Sequence, residues 1–317
     1  MGDRVDAVVA GGGPAGLNAA LVLVRARRSV VICDDGAPRN QASHAMHNYL
    51  SRDGMDPAEL LRAGRDEISR YPGARFLRCT VDDVQRAGDG FRATASTGEV
   101  IEARKVLLAV GIKDWLPPIA GFDEMYGRSV FHCQYCDGWS ARDLPLAVLS
   151  EGPGGFRQAL MMLGWTRDVA LCTQGPAGLT VDQRAALEAQ AIPVCEQPVV
   201  RFDGSDGQLE RLLFADGSSL GRRVLFFHGD QALSSNLPVH IGCRLTSQRR
   251  IEVDEGHRTS VDGVFAAGDG ARRPGQHPST QVILAAASGA LAGIALHQEL
   301  MHEDFGLTPA LPRAVAG

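Results

Sequence analysis

The stretch VDAVVAGGGPAG, residues 5–16, decides the fold of this 317-residue chain. Its apolar half predicts a buried strand, and Gly11, Gly13 and Gly16 then supply a G-x-G-x-x-G spacing. Glycines at this spacing permit a tight turn, close approach of the backbone to a pyrophosphate, and close packing of the next helix on the strand. That helix is expected to run to about Arg25, and its first turn offers N–H groups to phosphates. The residues expected to contact a nucleotide here are Gly11, Gly13, Pro14, Ala15 and Gly16.

A second predicted strand, residues 29–33, ends in an acidic residue. Asp34 follows it, 23 residues after Gly11, and a carboxylate at this distance suits the hydroxyls of a ribose. The neighbouring Asp35 precedes Gly36 and is better explained as part of a turn. Strand, glycine turn, helix, strand and carboxylate together predict a dinucleotide-binding domain.

The segment VDGVFAAGDG, residues 261–270, predicts a second contribution to the same site. It is typical of a strand that ends in a Gly-Asp pair, and the Ala-rich segment 280–296 after it predicts a buried helix. The carboxylate can accept hydrogen bonds from ribityl or phosphate-linked hydroxyls, and amides at the helix start can face an isoalloxazine ring. A simple Gly-Asp turn is the alternative. The residues expected to contact a flavin are Gly268, Asp269, Gln281 and Val282.

The sequence FHCQYCDG, residues 131–138, places Cys133 and Cys136 three positions apart. Two thiols at this spacing can close a small disulfide ring, and the arrangement favours the thiolate, which is the form that attacks disulfides or flavins. Structural zinc is the alternative, but it normally needs a second pair of ligands. The remaining cysteines are isolated in the sequence and are expected to pack as small hydrophobes: Cys33, Cys79, Cys172, Cys195 and Cys243.

A second nucleotide-binding outline begins at the predicted strand 144–149. Ser150, Gly152 and Gly155 keep the spacing of the first motif, but serine replaces its first glycine. Glu151 also places a carboxylate where a pyrophosphate would lie, and like charges repel. The outline is therefore expected to bind a phosphate poorly.

The next predicted strand, residues 168–171, ends in Cys172-Thr173-Gln174, whereas recognition of a 2′-phosphate favours arginine at that point. NADPH binding is therefore doubtful, with NADH or a remodelled site left open.

These segments predict an α/β fold with two Rossmann-like, three-layer ββα dinucleotide-binding domains, the second inserted into the first. The FAD-binding domain is expected to comprise residues 1–115 and 240–317, and the inserted domain, which carries the thiol pair, residues 116–239. The Pro/Ala-rich tail, residues 308–317, is expected to be disordered.

Composition narrows the class of protein. A hydrophobic fraction of 44% and a charged fraction of 22% are ordinary for a soluble globular protein, and a net charge of −5 argues against nucleic-acid binding. The sequence has no uninterrupted apolar run of about 18 residues, so a membrane span is not expected. The N terminus shows no signal-peptide pattern. The seven cysteines do not have the spacing of a disulfide framework, so a reducing, cytoplasmic location is expected.

Four motifs in order resemble the low-molecular-weight thioredoxin reductase group of flavoproteins, over essentially the whole chain. They are the first glycine turn, Ala109-Val110-Gly111, the thiol pair with Asp137, and the segment 263–269. The resemblance implies FAD on the outer domain, contacted also by Ala109 and Gly111, and the thiol pair of the inserted domain over the flavin. It also implies a homodimer.

A subset of this group is more similar still: the dithiol oxidases that close disulfides in natural products such as gliotoxin, holomycin and romidepsin. The likeness lies in Pro38-Arg39-Asn40, in Ser43-His44-x-x-His47-Asn48 and in Arg52-Asp53-Gly54. These enzymes reoxidise their flavin with O2 and need no NADPH. The chain departs from several of them at Asp137, where they carry histidine. The residues of these segments expected to contact FAD are Arg39, Asn40, His47 and Asn48.

The resemblance also implies roles for the thiols. Cys133 would exchange with the substrate dithiol, and Cys136 would pass electrons to FAD, which O2 reoxidises to give H2O2. Asp137 is the first candidate for proton transfer and His132 the second. The sequence leaves two alternatives open: an NAD(P)H-dependent thioredoxin-disulfide reductase, and a flavin-binding redox sensor without turnover.

Overall fold

A computed structural model describes residues 4–277 and 279–307. They divide into two compact units, the second formed by segments that interrupt the first. Unit 1 contains the described parts of Met1–Arg39, Pro57–Lys113 and Ala232–Gly317, and unit 2 contains Asn40–Asp56 and Asp114–Gln231. The predicted tail, residues 308–317, lies outside the described residues.

The chain begins in unit 1 with β1 (Val5–Ala10), α1 (Pro14–Arg25), β2 (Val30–Cys33), α2 (Pro57–Ile68), β3 (Ala74–Leu77), β4 (Val81–Ala87), β5 (Gly90–Ala95), β6 (Val100–Leu108) and β7 (Ile112–Asp114). It continues with α3 (Phe122–Met125), β8 (Val130–Phe131), α4 (Gln134–Asp137), β9 (Leu146–Leu149), α5 (Gly152–Met162), β10 (Val169–Cys172), α6 (Val181–Ala189), β11 (Val194–Cys195), β12 (Val199–Ser205), β13 (Gln208–Phe214), β14 (Ser219–Gly221) and β15 (Val224–Phe227). It ends with β16 (Gln231–Leu233), α7 (Leu237–His240), β17 (Ile251–Glu252), β18 (Val264–Ala266), β19 (Ala271–Arg272) and α8 (Val282–Phe305).

Unit 1 is built on a sheet in the order β3-β2-β1-β6-β5-β4, with β18 also pairing with β6. β1 pairs in parallel with both β2 and β6. Its alternate residues face opposite layers: Ala7 and Val9 pack in one apolar cluster, whereas Val8 and Ala10 pack in another. A strand that is buried on both faces explains the nearly continuous apolar run of the sequence.

Helix α8 is longer than the predicted segment 280–296. Its small residues allow close approach to α1, because a side chain at Gly289 would lie 2.0 Å from the Ala15 carbonyl oxygen and one at Gly293 would lie 2.9 Å from that of Ala19. By length and composition alone α8 could cross a membrane. Core helices of soluble proteins pass the same test, and the buried face of α8 belongs to an apolar cluster of unit 1.

Unit 2 repeats the parallel plan with a five-stranded sheet in the order β11-β10-β9-β15-β8. A separate antiparallel sheet, β12-β13-β14, packs beside it in an apolar cluster that includes Phe202 and Leu212. The parallel strands β3-β2-β1-β6 of unit 1, which β5 and β4 extend by antiparallel pairing, and the parallel sheet of unit 2 confirm the predicted α/β fold class.

The observed division differs from the predicted one mainly in one segment. The sequence predicts residues Asn40–Asp56 within the FAD-binding domain, whereas in the structure they belong to unit 2. Their contacts explain why: the Asn48 side chain donates a hydrogen bond to the Tyr135 carbonyl oxygen at 2.6 Å, and a side chain on Gly127 would lie 2.5 Å from the Ala42 carbonyl oxygen.

Candidate active site

The first glycine turn of unit 1 is fixed by backbone contacts that exclude side chains. Gly11 has φ +108°, and a Cβ there would lie 2.3 Å from the Ala109 carbonyl oxygen. A Cβ on Gly16 would lie 1.9 Å from the Gly11 carbonyl oxygen. The carboxyl ends of β1 and β6 therefore meet at this turn, which is where parallel α/β sheets bind nucleotides.

The start of α1 fits a phosphate group. Gly13 precedes the helix with no side chain to cap it, and a Cβ there would meet no atom within 4 Å. Pro14 and Ala15 occupy the first helical positions, so proline removes no hydrogen bond that the helix needs. A twelve-residue helix with an uncapped N terminus and open space before it suits the predicted FAD pyrophosphate.

Asp34 lies at the carboxyl end of β2 beside the glycine turn. A Cβ on Gly12 would lie 2.3 Å from its Oδ2, and the Gly36 amide donates to its Oδ1 at 2.9 Å. Arg65 of α2 donates to Oδ2 at 2.6 Å. Sequence reasoning missed Arg65 because its partner is 31 residues away, and no local motif marks it.

Two other predicted flavin residues come together in unit 1. Arg39 Nη1 lies 3.3 Å from Asp269 Oδ2, an ion pair that sequence analysis did not anticipate. Gly268 has φ +80°, and its amide donates to the Ser288 hydroxyl of α8 at 2.8 Å. The sequence signal for Ser288 was absent because one serine in an Ala-rich helix has no distinguishing pattern.

The remaining unit 1 residues lie on the same edge. Gly111 has φ +67° and follows β6. Gln281 is the extended residue before α8, and Val282 is the first residue of that helix. The turn, the acidic strand end and two helix starts form a cradle that fits FAD, although contact of each residue with the cofactor stays a prediction.

In unit 2, Cys133 and Cys136 form a disulfide with a Cα–Cα distance of 5.3 Å. Cys133 precedes α4, and its sulfur accepts a hydrogen bond from the Cys136 amide at 3.1 Å. After reduction, this donor would stabilise a thiolate on Cys133. The geometry suits thiol–disulfide exchange.

Asp137 is the residue after Cys136 and is partly buried. Burial raises its pKa to about 6, and the nearby His47 opposes the rise. His47 Nδ1 also lies 3.3 Å from the Asp53 carboxylate. A carboxyl group with a pKa of about 6 in the residue that follows a redox-active cysteine suits proton exchange with the thiol.

The loop that carries His47 and Asn48 lies against α4 of unit 2. Asn48 adopts φ +63°, and its amide donates to Asp53 Oδ1 at 2.8 Å. The pKa of Asp53 is lowered by this backbone hydrogen bond first and by His47 second. Asn40 begins this segment, and its carbonyl oxygen accepts from the Ser43 amide at 3.0 Å. Three residues predicted for FAD contact therefore belong to the thiol-bearing unit: Asn40, His47 and Asn48.

His132, the second candidate for proton transfer, is held by side chains. Its Nδ1 lies 3.3 Å from the Tyr126 hydroxyl, which also lies 3.3 Å from the Asp114 carboxylate. The network can orient the imidazole, whereas Asp137 is the group directly next to a thiol in sequence.

In the turn of the second nucleotide-binding outline, the chain itself already occupies one backbone amide. The Gly152 amide, at the start of α5, donates to the Ala177 carbonyl oxygen at 2.8 Å. The Ala177 amide donates to Glu196 Oε1 at 2.8 Å, and Ala177 has no exposed surface. The amide that would approach a pyrophosphate is therefore used by the loop after β10.

The other cysteines pack in apolar clusters as expected, and four of them also lie in two neighbouring pairs. Cys172 contacts Cys195 by a side-chain hydrogen bond, and Cys33 contacts Cys79 in the same way. Sheet pairing brings them together across the sequence. Within residues 4–277 and 279–307, no three His, Cys, Asp or Glu side chains group so that they could hold a metal ion.

Comparisons with known proteins agree with this geometry. The family model described as pyridine nucleotide-disulphide oxidoreductase matches residues 5–289. A probable thioredoxin reductase of Arthroderma benhamiae is 31% identical, over 95% of this chain and 81% of the relative. Thioredoxin reductase tcpT of Claviceps purpurea is 32% identical, over 84% of this chain and 86% of the relative.

Solved structures give the same result. The crystal structure of HlmI superposes with a TM-score of 0.89 at 40% identity, covering 96% of this chain and 94% of HlmI. The crystal structure of a putative thioredoxin reductase TrxB from Bacillus anthracis also superposes with a TM-score of 0.89. It is 31% identical and covers 95% of this chain and 100% of that chain.

The fold and the thiol pair define a two-domain, dinucleotide-binding oxidoreductase. The chain belongs to the pyridine nucleotide-disulphide oxidoreductase family. Within it, the resemblance to thioredoxin reductases is confirmed, and the protein is an FAD-dependent disulfide oxidoreductase of that type. Membership implies binding of a flavin and a nicotinamide nucleotide.

Proposed function

We propose that this enzyme is a dithiol oxidase, which closes a disulfide in a small-molecule dithiol and transfers the two electrons to O2, giving H2O2. The observation that carries the proposal is the glycine turn of unit 2, where the Gly152 amide already donates a hydrogen bond to the Ala177 carbonyl oxygen. Glu151 adds a negative charge beside the same turn, which disfavours a pyrophosphate. Both features favour a dithiol over NADPH as the source of electrons.

The reaction begins with thiol–disulfide exchange at Cys133. A substrate thiolate attacks the Cys133 sulfur, a new S–S bond forms, and Cys136 leaves as a thiolate. The second substrate thiol then attacks the substrate sulfur of this mixed disulfide, which releases the oxidised substrate and a Cys133 thiolate. The Cys136 amide, 3.1 Å from that sulfur, stabilises the negative charge.

Protons released by the substrate thiols need an acceptor. The Asp137 carboxylate, with a pKa of about 6, can take a proton at neutral pH and release it to solvent. The residues of the unit 1 cradle would hold FAD, which would supply the two-electron acceptor for oxidation of the enzyme thiols. The balance is one dithiol and one O2 consumed for one disulfide and one H2O2.

The surface of unit 2 around the disulfide suits a partly apolar substrate. Tyr135, between the two cysteines, is 60% exposed, and Trp139 is 70% exposed. Arg142 lies over the Trp139 ring, with its Cζ 4.4 Å from the ring centroid. Exposed aromatic rings beside a reactive group favour binding of a small ring compound.

The proposal is tested by steady-state turnover in air. With dithiothreitol we expect O2 uptake and stoichiometric H2O2, and with NADPH and oxidised thioredoxin we expect no NADPH consumption. A Cys133→Ser/Cys136→Ser variant that retains flavin is the control for direct reduction of FAD. Rapid, thioredoxin-dependent oxidation of NADPH would instead identify a thioredoxin reductase.

Asp137→Asn is expected to slow dithiol oxidation about 100-fold, because general acid–base catalysis typically contributes factors of this size. The wild-type rate should fall below a pH of about 6 as Asp137 gains its proton, and the variant should lack this acidic limb. The matched control is Asp123→Asn on α3, an exposed carboxylate. An unchanged pH–rate profile would remove Asp137 from the proton path.

The same substitution should stabilise the fold above pH 6. The folded-state pKa of Asp137 is raised above its ordinary value of 3.8, so the native state binds the proton more tightly and loses stability as pH rises through this window. Removal of the buried charge should raise the free energy of unfolding by on the order of 2 kcal/mol at pH 7, with allowance for the partial exposure of the side chain. Urea unfolding of the wild-type and variant proteins at pH 5 and pH 7.5 measures the difference in their free energies of unfolding. If Asp137 only positioned its neighbours, this difference would not change with pH.

We also propose a homodimer. Leu284, Leu291 and Ile294 of α8 are 45%, 54% and 45% exposed and lie along one face of the helix. A second copy would cover this apolar stripe. Sedimentation should give a dimer that Leu291→Glu weakens, and a monomeric wild-type protein would contradict the proposal.

A further inference from the structure

Cys172 and Cys195 are placed side by side by the sheet of unit 2. They are the last residues of β10 and β11 and are direct register partners in this parallel pair. Adjacent strands lie about 4.8 Å apart, which is within the Cα separation that a disulfide spans. Both side chains pack in the same apolar cluster, so they lie on one face of the sheet.

The two thiols differ in reactivity. Cys195 is partly exposed, whereas Cys172 has no exposed surface. The hydrogen bond between them lowers the pKa of Cys195 to about 7, and Arg222 also favours its thiolate. The same bond raises the pKa of Cys172, and burial adds to the rise. Cys195 therefore has the features of an attacking thiol and Cys172 those of its resolving partner.

The pair in unit 1 offers an internal comparison. Cys33 and Cys79 are also hydrogen-bonded, but they are only 1% and 4% exposed. Burial, with Cys79 as the second cause, raises the pKa of Cys33 to about 12. Proximity is common to both pairs, whereas exposure and thiolate character belong to Cys195 alone.

We propose that Cys172 and Cys195 form a second redox-active thiol pair, which peroxides oxidise to a disulfide separate from the catalytic one. The Cys195 thiolate attacks a peroxide oxygen, the O–O bond breaks, and hydroxide leaves and takes up the thiol proton as water. The sulfenic acid is then attacked by the Cys172 sulfur, an S–S bond forms, and the S–O bond breaks with loss of a second water. Two thiols and one H2O2 give one disulfide and two waters.

The new bond would join β10 to β11 at the start of the loop that bonds the Gly152 amide. The Thr173 amide already donates to the Cys195 carbonyl oxygen at 3.0 Å. Five residues after Cys172, the Ala177 carbonyl oxygen of this loop accepts a hydrogen bond from the Gly152 amide. Oxidation would therefore fix the start of the loop whose Ala177 carbonyl oxygen accepts the Gly152 amide.

The experiment uses the flavin-loaded Cys133→Ser/Cys136→Ser protein, in which the catalytic disulfide cannot form. The protein is treated with added H2O2, free thiols are alkylated at intervals, and peptides are mapped by mass spectrometry. We expect a Cys172–Cys195 cross-link to form at least 10-fold faster than any Cys33–Cys79 link. Because the peroxide is added, the result does not depend on whether the enzyme produces it.

Two single substitutions in the same background assign the roles. Cys172→Ser should leave Cys195 as a sulfenic acid that dimedone traps, and Cys195→Ser should leave Cys172 fully alkylated after denaturation. Three results would overturn the proposal: Cys172 and Cys195 both remaining free thiols, Cys195 advancing to a sulfinic acid without a cross-link, or equal rates for the two pairs.

Discussion

Replacing Cys136 with serine is expected to lower dithiol oxidation by at least about 10⁴-fold, as loss of a catalytic nucleophile does in other enzymes. Cys133 keeps its amide donor and can still react, but no intramolecular disulfide can form. When a reduced substrate is supplied with an oxidant, the variant should collect a mixed disulfide at Cys133, which intact-mass measurement detects.

Cys133→Ser should lose activity to the same extent without collecting the adduct, since the exchanging thiol is gone. Cys243→Ser, at a buried cysteine of unit 1, is the matched control and should keep the wild-type rate per bound flavin. If Cys136→Ser passed electrons from dithiol to FAD at the normal rate, the assignment of roles to the two thiols would be wrong.

Gly16→Ala is expected to release the flavin and destabilise the fold. Its Cβ would lie 1.9 Å from the Gly11 carbonyl oxygen, and backbone cannot move away without opening the turn. Overpacking of this kind typically costs about 1–3 kcal/mol. The ratio of flavin to protein absorbance and the melting temperature measure the two effects.

Gly13→Ala separates flavin binding from folding. A Cβ there meets no protein atom within 4 Å, so the melting temperature of the flavin-free protein should not change. The methyl group would occupy the space that a pyrophosphate needs, and flavin affinity should fall at least 10-fold, or about 1.4 kcal/mol. Full flavin affinity in Gly13→Ala would show that this turn does not hold the pyrophosphate.

Local sequence predicted the parts of the molecule that depend on local physics. The bounds of β1 and α1 are those expected from the apolar run and the glycine turn. Asp34 lies at the end of β2 because that position is fixed by the strand before it. The thiol pair is close because its cysteines are only three positions apart in the sequence.

Features that depend on distant pairing could not be predicted. The loop carrying His47 and Asn48 was assigned by its position in the chain, whereas its contact with Tyr135 bridges 87 residues. The contact between Cys172 and Cys195 requires the parallel register of β10 and β11, which no local pattern specifies. The sequence shows that the second nucleotide motif lacks key residues. It does not show that the Ala177 carbonyl oxygen accepts a hydrogen bond from the Gly152 amide.

The central claim is that electrons enter through the Cys133–Cys136 disulfide from a dithiol. Its most direct test is to mix the oxidised protein anaerobically with dithiothreitol, NADPH or NADH and to follow the flavin absorbance before and after admission of O2. We predict that dithiothreitol alone bleaches the flavin and that O2 restores the absorbance with release of H2O2. Rapid bleaching by NADPH or NADH would contradict the account.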